Sequence, residues 1–254
     1  MGRHLCESLF FDIADPGAPG PTARRFRVLP LVICYGVKGD NRFFLLLSTA
    51  AFLVCSAAAG AGLLRPFDVL LLGQVRRTDS RVFDGVGLLT SVVGGVEFVA
   101  GATVALAAGL LLHRRTRLAL RLIVAFLVTG LIEIAAKSVV PQPPLPQEAM
   151  RAPDPSLLDV STTYPYPSGH MLRSVLLLGA IYALWPNRPA RIALLIFLAA
   201  SATCRVYLGT HWPSDVIGGA LLGIAGLAWI FEKLVSQESP RHTGTEKGPN
   251  KLKC

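Results

Sequence analysis

The run FFLLLSTAAFLVCSAAAGAGLL, residues 43–64, lies between Arg42 and Arg65 and holds no charged side chain. About 20 apolar residues in helical conformation cross a bilayer core, so this stretch is long enough to span. Working outward, comparable blocks recur at 90–112, interrupted only by Glu97, and at 122–140, with Glu133 and Lys137 near the far end. Three more follow at 168–185, 190–208 and 213–230. Composition agrees. The chain is 52% hydrophobic and only 16% charged, with a mean hydropathy of +0.51. Soluble domains average about 25% charged, and a disordered chain would be far less apolar. The reading is an all-α, polytopic membrane protein built as a bundle of six transmembrane helices.

The segments between the blocks divide the chain. Residues 1–42 form an N-terminal tail with Gly and Pro. Its apolar run 28–37 contains Pro30 and Gly36 and is too short to span. Residues 65–84 are mixed and partly amphipathic, and 141–167 form a Pro-rich polar loop. A membrane domain therefore covers 43–234, and the polar, Lys-rich tail 235–254 is expected to be disordered. The first apolar stretch, 5–13, carries Glu7 and Asp12 and no cleavage site follows. The first long helix is thus expected to act as an uncleaved insertion signal.

Net charge is +9. With both termini cytoplasmic, 17 of the 25 Lys and Arg residues fall on the inner side, as the positive-inside rule favours. That puts the ends of spans three to six that carry Lys137, His170, Arg205 and His211 on the extracytoplasmic face, and the plasma membrane is the expected location. No zinc-finger spacing or RNP-type aromatic motif is present, so no nucleic-acid partner is expected; the partner that the composition implies is the bilayer. Five scattered cysteines form no CxxC pair, and Cys55 should serve as a small apolar residue.

Chemistry survives where the outer helix ends meet. Lys137, His170, Arg205 and His211 come from four different spans and converge on one membrane face. Ionisable groups there are costly and usually functional. Pro167-Ser168-Gly169-His170 opens a span. Ser168 suits an N-cap, Gly169 lets an anion approach the first backbone N–H groups, and His170 can give or take a proton beside it. The plainer reading is a turn that starts a helix. In Arg205-x5-His211-x3-Asp215, the acid sits four residues after the histidine. It can hold one ring nitrogen and leave the other to attack, as in a hydrolytic triad. Arg205 offers a fork of donors suited to phosphate oxygens. The plainer reading there is snorkelling by Arg205 and helix capping by Asp215.

Together, Pro167-Ser168-Gly169-His170 and Cys204-Arg205-x5-His211-x3-Asp215 resemble the second and third signatures of the type 2 phosphatidic acid phosphatase superfamily. This is the lipid phosphate phosphatase group, related in fold to vanadium-dependent haloperoxidases and bacterial acid phosphatases. The resemblance covers about residues 43–234 and points to the membrane branch. It implies a metal-independent phosphatase with no cofactor and a phosphohistidine intermediate. His211 would be the nucleophile, Asp215 its orienting acid and His170 the general acid and base. Lys137, Ser168, Gly169 and Arg205 would hold the phosphoryl oxygens. Implied substrates are polyprenyl (di)phosphates, phosphatidic acid or phosphatidylglycerol phosphate. The loop 141–167 would sit over the site and shape head-group choice.

Two departures stand out. The first signature, Lys-x6-Arg-Pro, has its lysine at Lys137, but its arginine falls on Pro144 and its proline on Leu145. The third signature normally begins Ser-Arg, and here reads Cys204-Arg205. Arg173, one turn after His170, either binds phosphate in place of the missing arginine or pairs with Glu97 or Glu133 in the bundle. Arg151 is a second candidate. Glu133, four residues before Lys137, is placed to orient or partly neutralise it, and Glu97 to satisfy another buried polar group. The alternative in a different class is a catalytically weakened relative that binds anionic lipid without turnover. A small transporter would need polar residues near mid-membrane on broken helices, and the sequence clusters them at one face.

Overall fold

The computed structural model describes residues 41–151, 163–185 and 187–232. The expectations for residues 1–40, for residues 152–162 of the Pro-rich loop and for the tail 235–254 lie outside them. Among the described residues there are eight α-helices and no strand: α1 (Asn41–Gly60), α2 (Arg65–Arg76), α3 (Arg81–Gly94), α4 (Val96–Leu112), α5 (Thr116–Val139), α6 (Gly169–Leu184), α7 (Arg188–Tyr207) and α8 (Pro213–Phe231).

Four of these, α1, α5, α7 and α8, are long and apolar enough to cross a membrane. Their outer surfaces are apolar: Leu46 and Val54 on α1 are 68% and 69% exposed, and Leu127 and Leu131 on α5 are also exposed. In water such patches would drive association; in a bilayer they face lipid. The chain is an integral membrane protein.

The six-span expectation is met only in part. The block 90–112 is not one helix. α3 and α4 meet at Gly95 with a 54° bend, and they count as a fifth span only if taken together. The cause is the Gly94-Gly95 pair. Gly95 is extended at φ −62°, ψ 150°. A Cβ on Gly94 would stand 3.0 Å from His170 Cδ2 and 3.1 Å from Ser174 Oγ. The break lets α3 press on α6. The block 168–185 folds as α6, whose 16 residues reach about 24 Å, short of a bilayer core of about 30 Å. The first block also ends early. Leu63 N–H bonds Ala58 O at 2.9 Å, Gly62 N–H bonds Ala59 O at 3.0 Å, and Gly62 has φ +74°. This glycine-terminated cap stops α1 at Gly60 although residues 61–64 stay apolar.

α6 is the central helix and packs against α3, α4, α5, α7 and α8. Its contact with α8 is close because α8 carries glycine where they meet. A Cβ on Gly219 would strike the Ser168 carbonyl, and one on Gly223 would lie 2.9 Å from Leu172 O. This four-residue spacing of small residues is a common means of bringing membrane helices together. At one end of the bundle Arg42 pairs with Glu232 at 3.0 Å, Asn41 Nδ2 donates to Phe231 O, and Arg121 Nη1 donates to Ile230 O. The starts of α6 and α8 lie at the other end.

Candidate active site

α6 and α8 begin side by side, with Ser168 N–H donating to Asp215 O at 2.9 Å. Ser168 caps α6 by accepting from Met171 N–H. Two residues before it, Tyr166 is fully buried, stacks on Phe52 and lies against Gly218, where any Cβ would collide with the ring. α1 and α8 thus hold the Pro167-Ser168-Gly169 turn from both sides. His170 follows in the first turn of α6, 5% exposed, with Nε2 3.2 Å from Ser91 O. A carbonyl can only accept, so Nε2 carries the hydrogen.

Arg205, in the last turn of α7, is fully buried and donates from Nη2 to Ser91 Oγ. Ser91 Oγ itself donates to Gly87 O at 2.8 Å. Ser91 therefore touches both His170 and Arg205. The adjacent Cys204 thiol shares a hydrogen bond with Thr90.

After α7 the chain reverses at Gly209, whose φ is +70° and whose Cβ would strike Ala149 O. The turn is tied to the loop by Arg151 N–H donating to Leu208 O at 2.9 Å. It delivers His211 to the start of α8. His211 Nδ1 lies 3.3 Å from Asp215 Oδ2, and that oxygen also accepts from Trp212 N–H at 3.0 Å. The expected four-residue pair is thus formed, with Nε2 the ring nitrogen turned away from the acid. The charges of Arg205, Arg173 and His211 all reach His170, and that of Lys137 reaches Asp215.

Lys137 and Arg173 meet at Glu133. Arg173 Nη1 lies 2.9 Å from Glu133 Oε2, and Lys137 Nζ 3.6 Å from Oε1. Of the two roles read for Arg173, the ion pair with Glu133 is the one formed. It is formed at the start of α6: a Cβ on Gly169 would collide with the Glu133 carboxylate and stand 2.8 Å from Arg173 Nη1. Arg151, the other candidate, donates to Asp79, Tyr207 Oη, Arg76 O and Thr78 O, and clamps the loop to the α2–α3 link. Position 144, a proline, is exposed. Glu97 lies in the first turn of α4, beside the break.

Sequence reasoning missed Ser91, Asp68 and Gln142. Asp68, on amphipathic α2, is 2% exposed. It accepts from Ser214 N–H at 2.8 Å, Ser214 Oγ at 2.6 Å and Gln142 Nε2 at 3.4 Å. Burial pushes its carboxyl above the usual range, against the pull of the two Ser214 donors. It satisfies a first-turn N–H of α8 from a different helix, so it braces the segment that carries His211 and Asp215. The available signal was a lone acid in the first turn of an amphipathic segment. Asp68→Ala would strand buried donors, each costing about 1–3 kcal/mol. Thermal unfolding of the detergent-solubilised protein should show a clearly lowered midpoint; an unchanged midpoint would mean that water replaces Asp68 there. Among the described residues no group of three or more His, Cys, Asp or Glu side chains is placed to hold a metal ion.

A model of the PAP2 superfamily matches residues 118–237. The match supports the resemblance carried by the signature residues. It is 35% identical over 132 residues to an undecaprenyl-diphosphatase from Sulfolobus acidocaldarius, a match that covers 51% of this chain and 60% of the relative. Among solved structures it resembles a transmembrane PAP2-type phosphatidylglycerolphosphate phosphatase from Bacillus subtilis. The TM-score is 0.59 at 20% identity, over 79% of this chain and 99% of the other. At that identity the likeness concerns the fold alone. The matched segment runs from α5 through α8 and so contains every residue of the three signature positions.

Proposed function

We propose that this protein is a member of the PAP2 superfamily and an integral membrane phosphatase that hydrolyses a lipid phosphate or diphosphate. The observation that carries the proposal is the His211–Asp215 pair set beside His170 and three cationic side chains at one end of the bundle. His211 Nε2 attacks phosphorus; the N–P bond forms as the bond to the lipid oxygen breaks. Asp215 holds Nδ1 and balances the charge that develops on the ring. His170, steadied by Ser91 through Nε2, gives a proton to the leaving oxygen through Nδ1. It then takes one from the water that cleaves the phosphohistidine, releasing phosphate and restoring His211. Lys137, Arg205, Arg173, Ser168 and the Gly169 N–H stabilise the phosphoryl oxygens as charge shifts in the transition state. No step uses a metal ion or a cofactor.

The names of the relatives, a diphosphatase and a lipid phosphate phosphatase, share a substrate with a terminal phosphate on a lipid. The test is phosphate release by the purified full chain in detergent with chelator present. Substrates are phosphatidic acid, phosphatidylglycerol phosphate and a polyprenyl diphosphate. Release from at least one, blocked by orthovanadate, is expected. Binding without release would instead support the weakened relative, which the exposed proline at position 144 favours.

The chain's course further supports six crossings, with α3 and α4 together making one and short α6 another. In this arrangement both termini are cytoplasmic and the site faces outward in the plasma membrane. In a background lacking native cysteines, Gln147→Cys should react with an impermeant thiol reagent on intact cells and Thr116→Cys should not. The reverse pattern would invert the topology.

A further inference from the structure

Packing on the bundle uses only one face of α2 (Arg65–Arg76). Asp68 and Leu72 are buried, and Leu72 and Val75 pack with Met171, Val206 and Trp212. At 3.6 residues per turn the two flanks beside that face differ in kind. Phe67 and Leu70 lie on one, continued by Leu63 just before the helix. All three are exposed, Leu63 and Leu70 at 73% and 60%. Arg65 and Arg76 lie on the other flank. Arg77 follows the helix and Arg81 opens α3, and these four arginines are exposed as well.

The ends of α2 fix its depth. Asp68, in the first turn, accepts from Ser214 at the start of α8. Arg76, the last residue, donates to Glu148 O, and its carbonyl accepts from Arg151, which also holds Tyr207 at the end of α7. Both ends therefore stay at the level where α7 ends and α8 begins, the end of the bundle that carries His170 and His211. The helix, about 18 Å long, runs along this level and not through the membrane. We infer that α2 lies in the membrane interface there, with Leu63, Phe67 and Leu70 among acyl chains, and that Arg77 and Arg81 form a binding surface for anionic phospholipid head groups.

Charge supports this occupant. Residues 65–81 hold four arginines and two acids. Asp68 is buried against Ser214, and Asp79 pairs with Arg151 at 3.2 Å. Arg65 lies over the Trp212 ring and Arg76 is committed to Glu148 O. Neither Arg77 nor Arg81 makes an ion pair among the described residues. An apolar flank beside a basic one is the pattern of a helix lying at a lipid surface. A leaflet satisfies both flanks at once, with chains for the leucines and phosphodiester anions for the guanidinium groups. The lipids gathered there stand beside the start of α8. The inference is independent of the phosphatase reading and holds whether or not the site turns over.

The experiment places a bimane fluorophore at Leu70→Cys, in the full chain lacking native cysteines, reconstituted in vesicles of four parts phosphatidylcholine to one part phosphatidylglycerol. Bromine on the acyl chains of one lipid or the other quenches the fluorophore on contact. Both should quench, and brominated phosphatidylglycerol should do so about fivefold more per mole, the enrichment that one arginine near a charged surface supplies. Adding Arg77→Gln and Arg81→Gln should bring that ratio close to one with the melting temperature unchanged, since both side chains are exposed. Raised salt should lower the ratio in the protein that keeps both arginines, and this arm carries the test if the double variant does not fold. Absence of quenching by either lipid would mean that water, a second copy or another protein covers the flank. A ratio that survives both substitutions would mean that other groups gather the anionic lipid. Either result overturns the inference, and phosphate release bears on neither.

Discussion

His211→Ala is expected to abolish phosphate release, with kcat falling by at least about four orders of magnitude, as when a covalent nucleophile is lost elsewhere. The residue sits at a turn held by Gly209 and by the Asp215 carboxylate, which also caps Trp212 N–H. The alanine variant should therefore keep its fold, because the Asp215–Trp212 bond survives. His170→Ala should be nearly as damaging with a lipid alkoxide as leaving group, because that oxygen needs a proton. With a phosphate ester of an acidic phenol it should recover part of its first step, since such a leaving group departs unprotonated. A phosphoenzyme should then accumulate, because the second step still lacks its base. Rapid quenching with radiolabelled phosphate ester would show it. Near-normal turnover by His211→Ala would end the nucleophile assignment, whatever His170 does.

The parts of this site legible in the sequence are those fixed by local spacing. His211 and Asp215 face each other because four residues make one turn at a helix start, and Pro213 and Asp215 signal that start. Ser168 and Gly169 are readable for the same reason. What could not be read depends on which helices meet. Ser91 is a hydroxyl in an apolar block, and only the bend at Gly95 and the packing of α3 on α6 and α7 turn it into a partner for His170 and Arg205. Asp68 caps a helix about 146 residues away in sequence. The choice of Arg173 between Glu97 and Glu133 is set by α5 lying beside α6, which no periodicity reveals. Span ends failed differently. Hydropathy continues past Gly60, but Gly62 takes a left-handed conformation and closes the helix.

Arg205→Lys is expected to cost about a hundred- to a thousandfold in kcat/KM, the range for removing a donor to transition-state charge, although the charge is kept. The reason is geometric. Arg205 is fully buried and commits Nη2 to Ser91 Oγ. A guanidinium can hold that bond and still offer donors in a fixed plane to a phosphoryl oxygen, whereas an ammonium is a single point on a flexible stem. Ser91→Ala tests the anchor. It removes the hydroxyl but keeps the backbone carbonyl that steadies His170, so a loss of about tenfold in kcat with His170 chemistry intact is expected. The double variant decides between anchoring and independent effects. If Ser91 acts through the plane of Arg205, then once lysine has replaced arginine there is no plane left to hold, and Ser91→Ala should add almost nothing. The coupling energy would then be close to the full effect of the serine. If the two losses simply multiply, Ser91 contributes by some other route, such as the bend at Gly95. Should Arg205→Lys retain wild-type kcat/KM in a stably folded protein, the planar-fork argument fails, and Arg205 supplies only a positive charge.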